Sequence, residues 1–188
     1  DWDQRYGNGP RIAVNISSQQ FYQSDLQTTV MKALFEAGAK PSLLQLELTE
    51  SILMKDVERT IATLEYLKNT GITLAMDDFG TGSSSLSYLK RFPIDALKID
   101  RSFVMDLEAS NDGATICAAI IAMARQLGLT VIAEGVETQE QLDFLRSQNC
   151  DQIQGFLFSK PISAADYERR FLASPVQSFK IPVDSTSS

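Results

Sequence analysis

Residues 72–86 read Ile-Thr-Leu-Ala-Met-Asp-Asp-Phe-Gly-Thr-Gly-Ser-Ser-Ser-Leu. The apolar run from Ile72 to Met76 has the character of a strand. It delivers two adjacent carboxylates, Asp77 and Asp78, onto a segment punctuated by Gly80 and Gly82. Side chains alternate along a strand, so Asp77 shares a face with Ala75 and Thr73, while Asp78 follows Met76 and Leu74 where the pleat gives way. Ser84 to Leu89 then reads as the start of a helix. Two neighbouring carboxylates resist joint ionisation unless a cation lies between them. Alone, the pair also fits a solvated turn; the strands on either side decide the matter by ending the same way.

Downstream, a short helix ended by Pro93 leads into Ala96–Asp100, where Lys98 faces away from Leu97 and Ile99. Upstream, Leu44–Thr49 alternates, with Gln45, Glu47 and Thr49 opposite Leu44, Leu46 and Leu48. Val57, Ile61, Leu64 and Leu67 form a helical stripe closed by Gly71. Moving outward again, Ala114–Leu127 is an apolar helix ended by Gly128. The strand Leu129–Ala133 follows and finishes in Glu134-Gly135-Val136-Glu137. Thr138 with Gln141 is a capping box for the next helix. A last strand over Asp151–Phe158 carries Gln154 and ends at Lys160-Pro161, and Ser163 with Asp166 opens a terminal helix through Phe171. On the other side, Asp25–Ala37 has Leu26, Val30 and Leu34 at helical spacing and stops at Gly38. Arg11–Ser17 reads as a strand with Ile12, Val14 and Ile16 opposite Ala13 and Asn15. Residues 1–10 are polar and turn-rich, and the end from Pro182 is expected to be frayed.

Strand and helix thus alternate about six times, which predicts parallel strands with helical crossovers in an α/β fold. Each strand places a polar group near its C-terminal end: Asn15, Glu47, Asp77 with Asp78, Lys98, Glu134 and Gln154. An eight-stranded (β/α)8 TIM-like barrel gathers such ends into one ring. An open doubly wound sheet would use the same rim.

Composition narrows the chemistry. With 188 residues, 44% hydrophobic and 22% charged, the chain suits one globular domain. No apolar run reaches membrane-spanning length, and a cytoplasmic setting is expected. A net charge of −7 argues against binding duplex nucleic acid, which needs a basic surface. Histidine is absent, which excludes Ser-His-Asp and Cys-His catalysis and His-ligated zinc within this chain. Cys117 and Cys150 lack metal or redox spacing and read as buried, inert thiols. The rim offers only oxygen donors, Asn15, Glu47, Asp77, Asp78 and Glu134, a set that suits Mg²⁺ or Mn²⁺. Four carboxylates exceed what one ion needs, and two ions sharing a bridging carboxylate suit in-line attack of water on a phosphodiester. Lys98 can orient or deprotonate the attacking water. It can equally form an ion pair across the barrel with Asp77 or Glu134, and both can hold together.

Val14-Asn15-Ile16-Ser17, Glu47-Leu48-Thr49-Glu50, Asp77-Asp78-Phe79-Gly80-Thr81-Gly82, Leu97-Lys98-Ile99-Asp100, Ala133-Glu134-Gly135-Val136-Glu137 and Gln154-Gly155-Phe156-Leu157-Phe158-Ser159-Lys160-Pro161 resemble, in order, the successive motifs of the EAL-domain cyclic-di-GMP phosphodiesterases. The resemblance runs from about Arg11 to Phe171. It implies hydrolysis of cyclic di-GMP to linear pGpG with two Mg²⁺ or Mn²⁺ ions. By the same resemblance, Asn15, Glu47 and Asp77 are ligands of one metal and Asp77, Asp78 and Glu134 of the second. Lys98 matches the lysine that contacts the nucleophilic water. Glu50 matches a glutamate that steadies the loop after the aspartates, Glu137 an acid behind the metals, and Gln154 a polar group near substrate and water. A homodimer, and fusion to upstream sensor or GGDEF domains, are further implications. Phe79–Ser85 is expected to be a mobile loop that couples the Asp pair to the dimer contact.

Two departures stand out. The Glu-Ala-Leu tripeptide that gives the family its name, and that supplies a glutamate to the first metal, is absent. A full barrel also needs about 250 residues. The expectation is therefore a barrel lacking about its first two strands over residues 1–172, with a C-terminal tail over 173–188, and inactive or nearly so by itself. Ser83 replaces the aromatic residue usual in the loop, a substitution that reads as tolerated. The alternatives are an inactive cyclic-di-GMP receptor and another barrel enzyme with the same rim chemistry.

Overall fold

A computed structural model describes residues 2–7, 9–23, 25–80, 86–107 and 111–173. The strands are β1 (Ile12–Asn15), β2 (Leu44–Thr49), β3 (Thr73–Phe79), β4 (Ala96–Ile99), β5 (Thr130–Glu134) and β6 (Gln152–Gln154). All pair in parallel, in the order β1-β2-β3-β4-β5-β6, and the sheet curls into a half-barrel of the TIM type. The helices are α1 (Trp2–Tyr6), α2 (Ser18–Gln23), α3 (Leu26–Ala37), α4 (Glu50–Lys55), α5 (Val57–Asn69), α6 (Leu86–Leu89), α7 (Arg101–Met105), α8 (Asn111–Gln126), α9 (Gln139–Ser147) and α10 (Ala164–Tyr167). A single π-helical turn, Glu168–Leu172, continues α10.

Local chemistry sets the helix ends. Asp25 caps α3 by accepting from Thr28 N, and Gly38, at φ 60°, closes it by donating to the carbonyls of Leu34 and Phe35. Asp56 caps α5, Asp100 caps α7, and the Thr138–Gln141 capping box opens α9 with both of its reciprocal bonds.

The two faces of the sheet differ in size of side chain. Leu46, Leu48, Leu74, Met76, Leu97, Ile99 and Val131 point outward and pack, buried, in one core that takes in residues of α3, α4, α5, α8 and α9. The inward face carries a small separate cluster, Ala75, Ala96 and Ile132. Small side chains leave room inside, and the concave side holds a cleft of about 1280 Å³ lined by inward residues such as Ala13, Gln45, Glu47, Glu134 and Gln154.

The sheet margins differ from expectation. The predicted strand Arg11–Ser17 contracts to β1, which is exposed along its length. The predicted strand Asp151–Phe158 contracts to the three residues of β6. From Gly155 the chain folds over the end of β5: Val136 N donates to Gln154 O at 3.1 Å, and Leu157 N to Val136 O at 3.0 Å. Only glycine fits there, since a Cβ would lie 2.0 Å from the Val136 carbonyl oxygen. The first ten residues are not all turn, because α1 packs against the π-helical turn. Trp2 stacks on Tyr167 with centroids 5.3 Å apart, and Trp2 Nε1, Tyr6 Oη and Arg5 all donate to Glu168. Among the described residues no helix is long and apolar enough to cross a membrane. Thr81–Ser85, which holds Ser83 and most of the expected mobile loop, lies outside the described residues, as does the tail from Ser174.

Candidate metal centre

The centre begins with Lys98 on β4, the strand whose every residue is buried. Alternation turns Leu97 and Ile99 to the outer core and Lys98 to the cleft, where only 3% of the residue is exposed. An ammonium at that depth needs partners. Three carboxylates from three strands supply them: Glu47 Oε2 of β2 at 2.5 Å, Glu134 Oε1 of β5 at 2.7 Å and Asp77 Oδ1 of β3 at 3.0 Å. Burial alone lowers the affinity of Lys98 for its proton, but the hydrogen bonds from Glu134 and Glu47 and the surrounding negative charge outweigh it and hold the group above the usual lysine range. Lys98 is therefore a cation here, facing three carboxylates. Burial also raises Glu134 above the ordinary carboxylate range, against the opposing pull of Lys98.

Asp78 reaches the same place by a break in the strand. The register of β3 against β4 shifts between Met76 and Phe79, and Asp78 takes φ 54°, a conformation uncommon outside glycine. The strict alternation that would have sent Asp78 outward with Met76 is lost. Oxygens of Asp77, Asp78 and Glu134 consequently lie within 4.8 Å of one another, close enough to hold one cation. Asp78 N donates to Asp77 Oδ1 at 3.0 Å, and burial, followed by the neighbouring Asp77, raises the Asp78 carboxyl above its ordinary range. Mutual repulsion of this kind is what a bound cation relieves.

The remaining expected residues stand around this core. Asn15 lies opposite Glu47 in the β1–β2 register, on the exposed strand. Gln154 lies opposite Glu134 in the β5–β6 register. Glu137 accepts from Arg101 at 2.7 Å, and the stem of Arg101 runs across Gly135, where a Cβ would come within 2.2 Å of it. Glu50, the first residue of α4, is buried, and its Oε2 has no hydrogen-bond partner among the described residues. The loop it was expected to steady lies outside the described residues. Two participants were missed. Gln45, buried on β2, donates from Nε2 to Glu47 Oε1 at 3.2 Å, and Arg101 lines the cleft. Alternation had already placed Gln45 on the face of Glu47, and a carboxamide among inward carboxylates was the available signal. The thiols of Cys117 and Cys150 are buried and pushed up to about 11 by burial, apart from this site.

The family model of the EAL domain matches residues 1–161. Over 170 residues, 88% of this chain, the sequence is 49% identical to the cyclic di-GMP phosphodiesterase NbdA of Pseudomonas aeruginosa, and it covers 22% of that protein. The solved PaMucR phosphodiesterase in complex with c-di-GMP superposes with a TM-score of 0.81 at 46% identity, over 83% of this chain and 63% of that one. A manganese/c-di-GMP complex of Klebsiella pneumoniae BlrP1 superposes with a TM-score of 0.76 at 35% identity, over 85% of this chain and 41% of that one. The chain spans about a fifth of the length of the curated relatives it matches.

Proposed function

The chain belongs to the EAL domain family, and on that premise we propose that its cleft is the active site of a metal-dependent phosphodiesterase that hydrolyses cyclic di-GMP to linear pGpG. One observation carries this reading: Lys98 sits where three strands aim carboxylates at a single buried cation. An ammonium held this way is a stand-in for a metal charge, and the all-oxygen donor set suits Mg²⁺ or Mn²⁺. Asp77, Asp78 and Glu134 would hold one ion, and Asn15, Glu47 and Asp77 the other. Bound there, the ions would supply charge neutralisation for the phosphodiester and activation of the attacking water.

The side chains divide the remaining work. Lys98, as a cation, orients the attacking water by donating to it. Glu134 supports that geometry through its bond to Lys98, and Gln154, across from Glu134, borders the water and the substrate. Glu137, steadied by Arg101, stands behind the metals, and Glu50 is available to the loop after the aspartates. The cleft has room for a cyclic dinucleotide, and Arg101 and Lys160 bring positive charge to its lining. Exposed Met105 and Ile116, on α7 and α8, offer apolar surface for a homodimer. A single barrel domain over residues 1–172, fusion to sensor or GGDEF domains and a cytoplasmic setting complete the proposal.

The test is formation of pGpG from cyclic di-GMP by the full-length protein in Mn²⁺, in EDTA, and as Lys98→Ala. Turnover that needs Mn²⁺ and falls by at least about 10²-fold in the variant is expected. Unchanged turnover in either control overturns the mechanism. Tight binding without hydrolysis in saturating Mn²⁺ assigns the protein as a receptor instead.

A further inference from the structure

The two proposed metal positions are not equally ready. Asp77, Asp78 and Glu134 already have oxygens within 4.8 Å of one another. Lys98 grips Asp77 and Glu134 as it does Glu47, but Glu47, proposed for the other position, is held at both oxygens: Oε2 accepts from Lys98 at 2.5 Å and Oε1 from Gln45 at 3.2 Å. Gln45 lies two residues before Glu47 on the same strand and the same face, so it grips the carboxylate with no backbone movement needed. Gln45, Glu47 and Lys98 are all less than 8% exposed, so water is poorly placed to substitute for any of these bonds.

We infer that Gln45 is a positioning residue which, together with Lys98, holds Glu47 away from a metal, so that the centre loads in two unequal steps. Asp77, Asp78 and Glu134 would hold one ion while Glu47 stays tethered. Glu47 would reach a second ion only by giving up its bonds to Gln45 and Lys98. The inference rests on the metal reading of the cleft and adds to it an order of loading and a residue that sets it. Gln45 hydrogen-bonds Glu47, so its removal is expected to act chiefly on the step that uses Glu47. A purely structural role for Gln45 would weaken both steps together.

The experiment is a calorimetric Mn²⁺ titration of the chain and of Gln45→Met, with free Mn²⁺ followed in parallel by electron paramagnetic resonance and no substrate present. The wild type is expected to bind in two steps whose dissociation constants differ by at least about tenfold. In Gln45→Met the weaker step should tighten by about five- to tenfold, the value of one lost competing hydrogen bond, while the tighter step moves less than about twofold. A single step in the wild type that becomes two in Gln45→Met supports the same conclusion. Gln45→Ala provides the same readout should the methionine variant not fold, as judged by circular dichroism. Two equal steps in the wild type, weakening of both steps, or a titration that Gln45 does not alter overturns this inference and leaves the metal reading standing. No Mn²⁺ binding at all overturns both.

Discussion

β4 and β1 are parallel strands of four residues each, yet every residue of β4 is buried and every residue of β1 is exposed. Both alternate between apolar and other side chains, Leu97 and Ile99 around Lys98 in one, Ile12 and Val14 around Ala13 in the other. Composition therefore does not separate them; position in the sheet does. Among the described residues β4 has a strand on each side, whereas β1 pairs only with β2, and Ile12 and Val14 are 50% and 40% exposed. The polar group each strand presents inherits that difference. Around Lys98, which is 3% exposed, charges act strongly on one another; around the exposed Asn15 water screens them. Within this chain the more buried half of the site is built on β2 to β5 and the more exposed half on the sheet margins.

The sharpest way to break this contrast is Lys98→Met. It leaves three inward carboxylates without their cation, and the metal-free protein should lose about 3 to 5 kcal/mol in urea unfolding. Saturating Mn²⁺ should restore part of the loss, because a ligand of the folded state alone stabilises it. A loss under about 1 kcal/mol would place the carboxylates in contact with water and erase the distinction. Next in size is a matched pair of truncations on the outer face. Leu97→Ala, in β4, should cost about 2 to 5 kcal/mol through the cavity it creates, and Ile12→Ala, in β1, less than about 1. Equal costs would mean that β1 is covered in solution. Asn15→Ala should change the stability of the metal-free protein by no more than about 0.5 kcal/mol. The mildest probe is a thiol label at pH 8. With both thiols pushed up to about 11, neither reacts as folded, so labelling reports opening. Cys150, just before the marginal strand β6, should react at least about threefold faster than Cys117 on α8. The reverse order would put the weaker region elsewhere.

Much of this was legible in the residues. Leu44 to Thr49 alternates so strictly that its boundaries and inward set, Gln45, Glu47 and Thr49, match β2 residue for residue. The pairing of Lys98 with Asp77 and Glu134 follows from polar groups at equivalent strand ends. Glu47 as its third and nearest partner depends on how tightly the sheet curls, which no single strand encodes. Asp78 was harder, because alternation assigns it to the outer face and only the bulge, with its positive φ, turns it inward. α1, α2, α4 and α7 went unread because five or six residues are too few to show a helical period. The shortening of the first and last strands reflects pairing, a property of neighbours, which local propensity does not contain.

The sheet order has a kinetic meaning. Every strand pairs only with its neighbours in sequence, so each pairing closes a short loop and the sheet can grow by adding one βα unit at a time. The contact of Trp2, Arg5 and Tyr6 with Glu168 is the exception, joining residues more than 160 apart, and its loop-closure entropy predicts that it forms late. Amide protons should record this history: slowest exchange in β3 and β4, faster in β2 and β5, fastest in β1 and β6. Lys98 would then ride on the part of the chain that opens least often, while Asn15 and Gln154 ride on the parts that open most.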